Sequence, residues 1–342
     1  MFKIDAVLSV LDRLLLIIIS AFLIYGHWTQ SSFKIEWFIY AQTFAYSATL
    51  IVGLVLTRTK IGKFKIKANK VLSLAILRKS TPFAILILLM MLYTRMDAVM
   101  LERMLPNGKE QSGIYAQGFR LLDTANMFAF LVAGLLLPMF SRLIGERNSI
   151  KPILQVAGKF LIGVSIIVGT GLAINSESVI DIVYRHNIEA SAQVFFWLIL
   201  SFIPLSFSHI FGTLLTANNN LRLLNQMAIF GVVLNIGLNL FLIPKMEAEG
   251  AAIATIITQS VTALFQLVLV MRVFKFSIHW NSVSKLIFFV IIYIPVALLF
   301  HQKFTEIWSL VTTIGIGFVL LILLKLLHFQ DLLALVKSKT TS

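Results

Sequence analysis

The stretch YTRMDAVMLERMLPNGKEQSGIYAQGFRLLD, Tyr93–Asp123, decides how the rest of the chain is read. It places Arg95 and Asp97 near the end of one apolar segment, and Arg120 and Asp123 near the start of the next. Ionic side chains at such positions are costly in hydrocarbon, so they face a partner, a water-filled cavity or a path for ions or solutes. They are expected to line one aqueous chamber.

Working outward, the 342 residues are 58% hydrophobic and 13% charged. Soluble domains carry about 25% charged residues, so a membrane protein is expected. Apolar runs near the ~20 residues of a membrane helix recur along the chain. The short alternating segments of a β-barrel do not. The predicted fold class is all-α and polytopic, with about ten spans. These are Val7–Tyr25, Trp37–Leu56, Pro82–Leu101, Gly113–Phe140, Ile153–Ile174, Gln193–Leu215, Asn225–Ile243, Gly250–Met271, Lys285–Phe300 and Ile307–Leu327. Helix is the form that satisfies its own backbone in lipid.

The net charge of +14 is unevenly spread. Between spans two and three lie Arg58, Lys60, Lys63, Lys65, Lys67, Lys70, Arg78 and Lys79, with no acid. Basic excess returns after spans four and eight and in the tail, at Lys337 and Lys339. The intervening loops are acidic, with Glu177, Asp181 and Glu189 after span five and Glu247 and Glu249 after span seven, or neutral. Lys/Arg-rich loops stay in the cytoplasm, so both termini are expected inside. The basic loops also suit anionic membrane lipids. With no Cys, disulfides, thiolate metal sites and Cys catalysis are excluded. No phosphate-binding loop, metal-spaced His cluster or large external loop is present, so no enzyme, organic cofactor or nucleic-acid partner is expected.

With a rise of ~1.5 Å per residue, Asp97 sits ~6 Å below the outer end of span three and Arg120 ~10 Å below the start of span four. Arg120 and Asp123, three apart, can form a local ion pair, and Arg95 can snorkel outward. A second polar set lies at matching depth. NIGLN puts Asn235 and Asn239 on one helix face, and GAAIAT does the same for Ala251 and Thr255. With Asp97 they offer a carboxylate, two amide oxygens, a hydroxyl and a backbone carbonyl, an oxygen set suited to Na⁺. The competing reading is that these amides and small residues fasten helices together. His209 is a proton-relay candidate or a packed core histidine.

YTRMDAVML followed by GIYAQGFRLLD, and NQMAIFGVVLNIGLNLFLIPKMEAEGAAIATIITQ further on, resemble bacterial polysaccharide (O-antigen type) flippases of the multidrug/oligosaccharidyl-lipid/polysaccharide exporter superfamily. The resemblance implies a partial N-terminal bundle at 1–80, a complete C-terminal six-helix bundle at 81–271, two additional helices at 272–342, and about four N-terminal helices missing. It implies translocation of an undecaprenyl-pyrophosphate-linked oligosaccharide across the bacterial inner membrane, with polysaccharide polymerase and assembly proteins as partners. Arg95, Arg120 and Asp123 would contact that substrate. The pattern of the lipid-linked peptidoglycan precursor branch falls on Asp97, Asn235, Asn239, Ala251 and Thr255 as a cation site for Na⁺ or H⁺ coupling. The alternatives are a cation-coupled multidrug exporter of the same superfamily and a truncated, non-transporting remnant.

Overall fold

The computed structural model describes residues 2–25, 35–61, 70–276, 280–304, 306–324 and 326. Every regular element among them is helical: α1 (Phe2–Tyr25), α2 (Ile35–Ile61), α3 (Lys70–Met104), α4 (Gly108–Gly145), α5 (Lys151–Ile174), α6 (Ser176–Val183), α7 (Ile188–Leu200), α8 (Phe202–Ala217), α9 (Leu221–Phe274), α10 (Trp280–Lys303) and α11 (Glu306–Leu323). Among the described residues, seven helices are long and apolar enough to cross a membrane. Each expected span corresponds to a helix or to part of one, so the chain is a polytopic all-α membrane protein.

The departures from the expected spans have local causes. Helix α3 starts at Lys70, so Arg78 and Lys79 are helical rather than in a loop. Pro82 lies inside α3, and the Asn225 side chain donates to its carbonyl at 3.1 Å. Span six is broken at Ser201 into α7 and α8. Pro204 has no N–H to offer the carbonyl four residues back, which favours a break there. The acidic loop after α5 folds into the short helix α6. The basic stretch 62–69 and the tail beyond residue 326 lie outside the described residues.

The chain divides into two compact units, Met1–Ala75 and Ile76–Ser342. In the first, α1 packs along α2. In the second, α4 packs on α7 and α8, α9 on α8 and α7, and α5 on α7 and α8. The core of this bundle runs through Leu101, Phe140, Leu161, Phe195, Leu198, Ile210 and Leu214. The pair α10 and α11 packs on α5 through a separate core of Ile166, Ile167, Phe289, Tyr293, Ala297 and Leu321.

The decisive feature of the second unit is a fold-back within α9. A straight helix of 54 residues would be ~80 Å long, well over twice the ~30 Å of hydrocarbon. Instead Glu247 leaves helical geometry at φ 50° and ψ −129° and separates two limbs, 221–246 and 248–274. A non-glycine residue in that region is strained by about 1–3 kcal/mol, so its surroundings must hold it. They do so from the start of α4: Gln111 donates to the Glu247 carboxylate at 2.7 Å and accepts the Ala248 N–H at 3.2 Å, and Asn107 donates to Glu247 at 3.2 Å.

Candidate functional site

The fold-back brings Asn239 of the first limb and Thr255 of the second to the same carboxylate. Asp97 on α3 is fully buried, at 0% exposure. Asn239 Nδ2 donates to its Oδ1 at 2.5 Å. Thr255 Oγ1 and Tyr115 OH both donate to its Oδ2 at 2.7 Å. The two hydroxyls stand 3.1 Å apart. Asn239 Nδ2 also donates to Asn235 Oδ1 at 3.1 Å. Three side-chain donors thus meet one carboxylate, which suits its ionised, acceptor-only form.

Asn235, Asn239 and Ala251 are each fully buried and Thr255 nearly so. The structure therefore brings Asp97 together with Asn235, Asn239 and Thr255, as the depth argument expected. Ala251 lies one turn outward of Thr255 on the same limb. Its carbonyl, an acceptor, can join a carboxylate only through a shared donor or cation. The fastening reading of the asparagines also holds, since Asn239 ties α9 to α3 through Asp97.

Helix fastening leaves two atoms of the cluster over. Asn239 Oδ1 and Asn235 Nδ2 are buried without a partner. Buried polar atoms are almost always paired, so such orphans call for an explanation. Rotating the Asn239 amide half a turn would bring its oxygen toward Asp97 Oδ1. Two oxygens in contact there repel unless a cation lies between them. With that amide turned, the oxygens gathered here would suit a small hard cation, which oxygen donors prefer. Among the described residues no cluster of His, Cys, Asp and Glu suits a transition metal.

Tyr115 was not singled out in the sequence. Its signal was its depth: Asp97 and Tyr115 each lie two turns inside the facing ends of α3 and α4, about 10 Å in. Tyr115→Phe is expected to cost about 1.5–3 kcal/mol, the loss of one hydrogen bond to a charged group. Thermal unfolding of the purified protein in detergent reads this; an unchanged midpoint would remove the hydroxyl from the cluster.

The arginines form a second, separate set. Asp97 points inward while Arg95, two residues away, is exposed, since neighbours two apart do not share a helix face. The expected common chamber for all four charges is therefore corrected: the carboxylate of Asp97 lies inside the bundle and the arginines lie on its surface. The expected Arg120–Asp123 pair is corrected as well. Asp123 pairs with Arg95 across α3 and α4 at 2.9 Å, and the Arg95 guanidinium lies 4.7 Å from the centre of the Phe119 ring. Packing over that ring fixes Arg95, which does not simply snorkel outward. Arg120 is exposed, and among the described residues it has no ion pair. His209 is a packed residue, 2.8 Å from Asn126 Oδ1 and edge-on to Phe130.

Residues 1–144 match the model of a family described as polysaccharide biosynthesis protein. Among solved structures, the lipid II flippase MurJ in its inward closed conformation has the same fold, with a TM-score of 0.69 at 17% identity over 96% of this chain and 68% of that one. A MOP superfamily transporter from Pyrococcus furiosus, described by the reverse polarity of its binding pocket, gives a TM-score of 0.45 at 23% identity over 67% of this chain and 53% of that one. No curated protein matches the sequence. The family match over residues 1–144 bears out a likeness to polysaccharide biosynthesis proteins, and the likeness to the flippase shows a shared fold over nearly all of this chain.

Proposed function

We propose that the protein moves a lipid-linked oligosaccharide, carried on undecaprenyl pyrophosphate, from the inner to the outer leaflet of the bacterial cytoplasmic membrane. Movement is coupled to a monovalent cation bound at Asp97. The observation that carries this reading is the meeting of three helices on one buried carboxylate. A group that ties α3, α4 and both limbs of α9 together is well placed to change their packing when it gains or loses a charge. Na⁺ suits the cluster better than a proton, because two amides and the Ala251 carbonyl add nothing to proton binding. The Lys/Arg loops orient both termini to the cytoplasm.

Arg120 and Arg95 supply positive charge on the exposed face of α3 and α4, where a pyrophosphate would bind. Arg presents a planar fork that matches phosphate oxygens. Asp123 offsets the charge of Arg95, so Arg120 is the stronger anion contact. Flipping of a pyrophosphate-linked glycan in reconstituted vesicles tests this. Arg120→Ala is expected to slow it by about tenfold or more, the worth of one charge-assisted hydrogen bond. Arg95→Ala should have a smaller effect. Wild-type rates in both variants would overturn the assignment of the arginines.

A further inference from the structure

Beyond Thr255, the second limb of α9 continues as a polar stripe. Thr255, Thr258, Gln259, Thr262 and Gln266 are 3%, 1%, 2%, 0% and 2% exposed. Their spacing puts them on one face. Asn239, Asn235 and Gly231 of the first limb share the antiparallel face. A Cβ added to Gly231 would lie 3.1 Å from Thr262 Cγ2 and 3.9 Å from the Tyr93 ring, so the two faces meet there. Further along, a Cβ on Gly212 of α8 would lie 3.4 Å from Gln266 Oε1.

Polar groups buried in a bundle normally hydrogen-bond across helices. These do not. Thr258 Oγ1, Gln259 Oε1 and Gln266 Oε1 are buried without partners, as is Asn239 Oδ1 at the head of the stripe. Thr262 spends its hydroxyl on its own helix, on the carbonyls of Thr258 and Gln259. Helix fastening therefore leaves the stripe unexplained. The orphan atoms on this limb are all oxygens, which call for donors or for a cation.

We propose that the stripe is a file of oxygen ligands along which a monovalent metal cation of the sodium class passes between the Asp97 cluster and the end of the bundle carrying Arg272 and Lys275. This rests on the reading of Asp97 as the cation site. From Thr255 to Gln266 the file runs ~16 Å, about half the hydrocarbon thickness. Neutral amide and hydroxyl oxygens replace part of a cation's hydration. No carboxylate lies on the limb between Thr255 and Arg272, so nothing there traps the ion and Asp97 alone is its resting place. Amides do not relay protons, so the file favours a metal cation over H⁺.

The chain has no Cys, so each single-cysteine variant carries one thiol. Thr258→Cys, Thr262→Cys and Gln266→Cys, in membrane vesicles, are exposed to Ag⁺, a thiol-reactive cation near Na⁺ in size. Ala254→Cys is the reference: Ala254 is 0% exposed and lies ~100° around the helix from Thr255. The thiols left are read with a fluorescent maleimide after unfolding. The three stripe thiols are expected to react with Ag⁺ about tenfold faster than the reference, more slowly in excess Na⁺, and not at all with a bulky trimethylammonium thiosulfonate. Stripe thiols no faster than the reference, or equally open to the bulky reagent, would overturn the file. Thiol labelling requires no transport, so it separates failure of the file from failure of the Asp97 reading, which flipping assays detect.

Discussion

Asp97→Asn is expected to bring cation-driven flipping down to the level of protein-free vesicles. Among the residues that meet at this point, Asp97 is the one that can carry negative charge. At an effective dielectric near 20, a carboxylate and a monovalent cation ~4 Å apart attract by on the order of 4 kcal/mol. Losing that attraction weakens ion binding by roughly a thousandfold. The substitution also turns a donor toward donors, because Tyr115, Thr255 and Asn239 all direct hydrogens at this group. An unmatched buried donor costs about 1–3 kcal/mol, so the variant is also expected to unfold earlier. Asn235→Ala separates the two effects, since it keeps the carboxylate and its three donors and removes one oxygen ligand. It should fold and flip, but require more Na⁺. Flipping by Asp97→Asn at the wild-type rate, across a Na⁺ gradient, would sink the coupling reading.

Gly250→Val is expected to be severely damaging for folding. A Cβ at this position would lie 2.5 Å from the Leu242 carbonyl oxygen, 2.7 Å from its carbon and 3.2 Å from the Ile243 nitrogen. These are backbone atoms of the opposing limb and cannot swing aside. The fold-back of α9 would open, and Asn239 and Thr255 would part. A loss of more than ~4 kcal/mol is expected, in the range reserved for a named steric cause. The control is Gly237→Ala in the same helix, where an added Cβ meets nothing within 4 Å. There a gain of about 0.5–1 kcal/mol is expected, since Ala holds a helix better than Gly. Thermal unfolding and the yield of monodisperse protein read both variants. A Gly250→Val protein as stable as wild type would mean that the two limbs do not meet as described.

The spans and the depth of the polar groups were legible in the sequence, because hydropathy and a constant rise per residue are both one-dimensional quantities. Asn235, Asn239 and Thr255 fell to the level of Asp97 on that basis. Partners in three dimensions were not legible in the same way. Asp123 has Arg120 one turn away, yet it pairs with Arg95, which only the docking of α3 beside α4 brings near. Tyr115 reads as one more aromatic in an apolar helix until its hydroxyl is seen on Asp97. At the fold-back the structure bends at Glu247, and Gly250 lies where two backbones must touch. The bend depends on Gln111, far away in the chain, so no local pattern announced it.

The α10 and α11 pair is fastened to the second half of α5, at two levels. Its aromatic core lies at one level, with Tyr293 donating to the Ile167 carbonyl at 3.1 Å. At the other, Asn175, just past α5, is within hydrogen-bond distance of His301, Ser309 and Thr313. Pinned at two heights, the pair cannot swivel about either one. It behaves as an outrigger, rigid with its mast. Any tilt of α5 is therefore magnified at the far rim of α10 and α11, where the surrounding lipid would be displaced most.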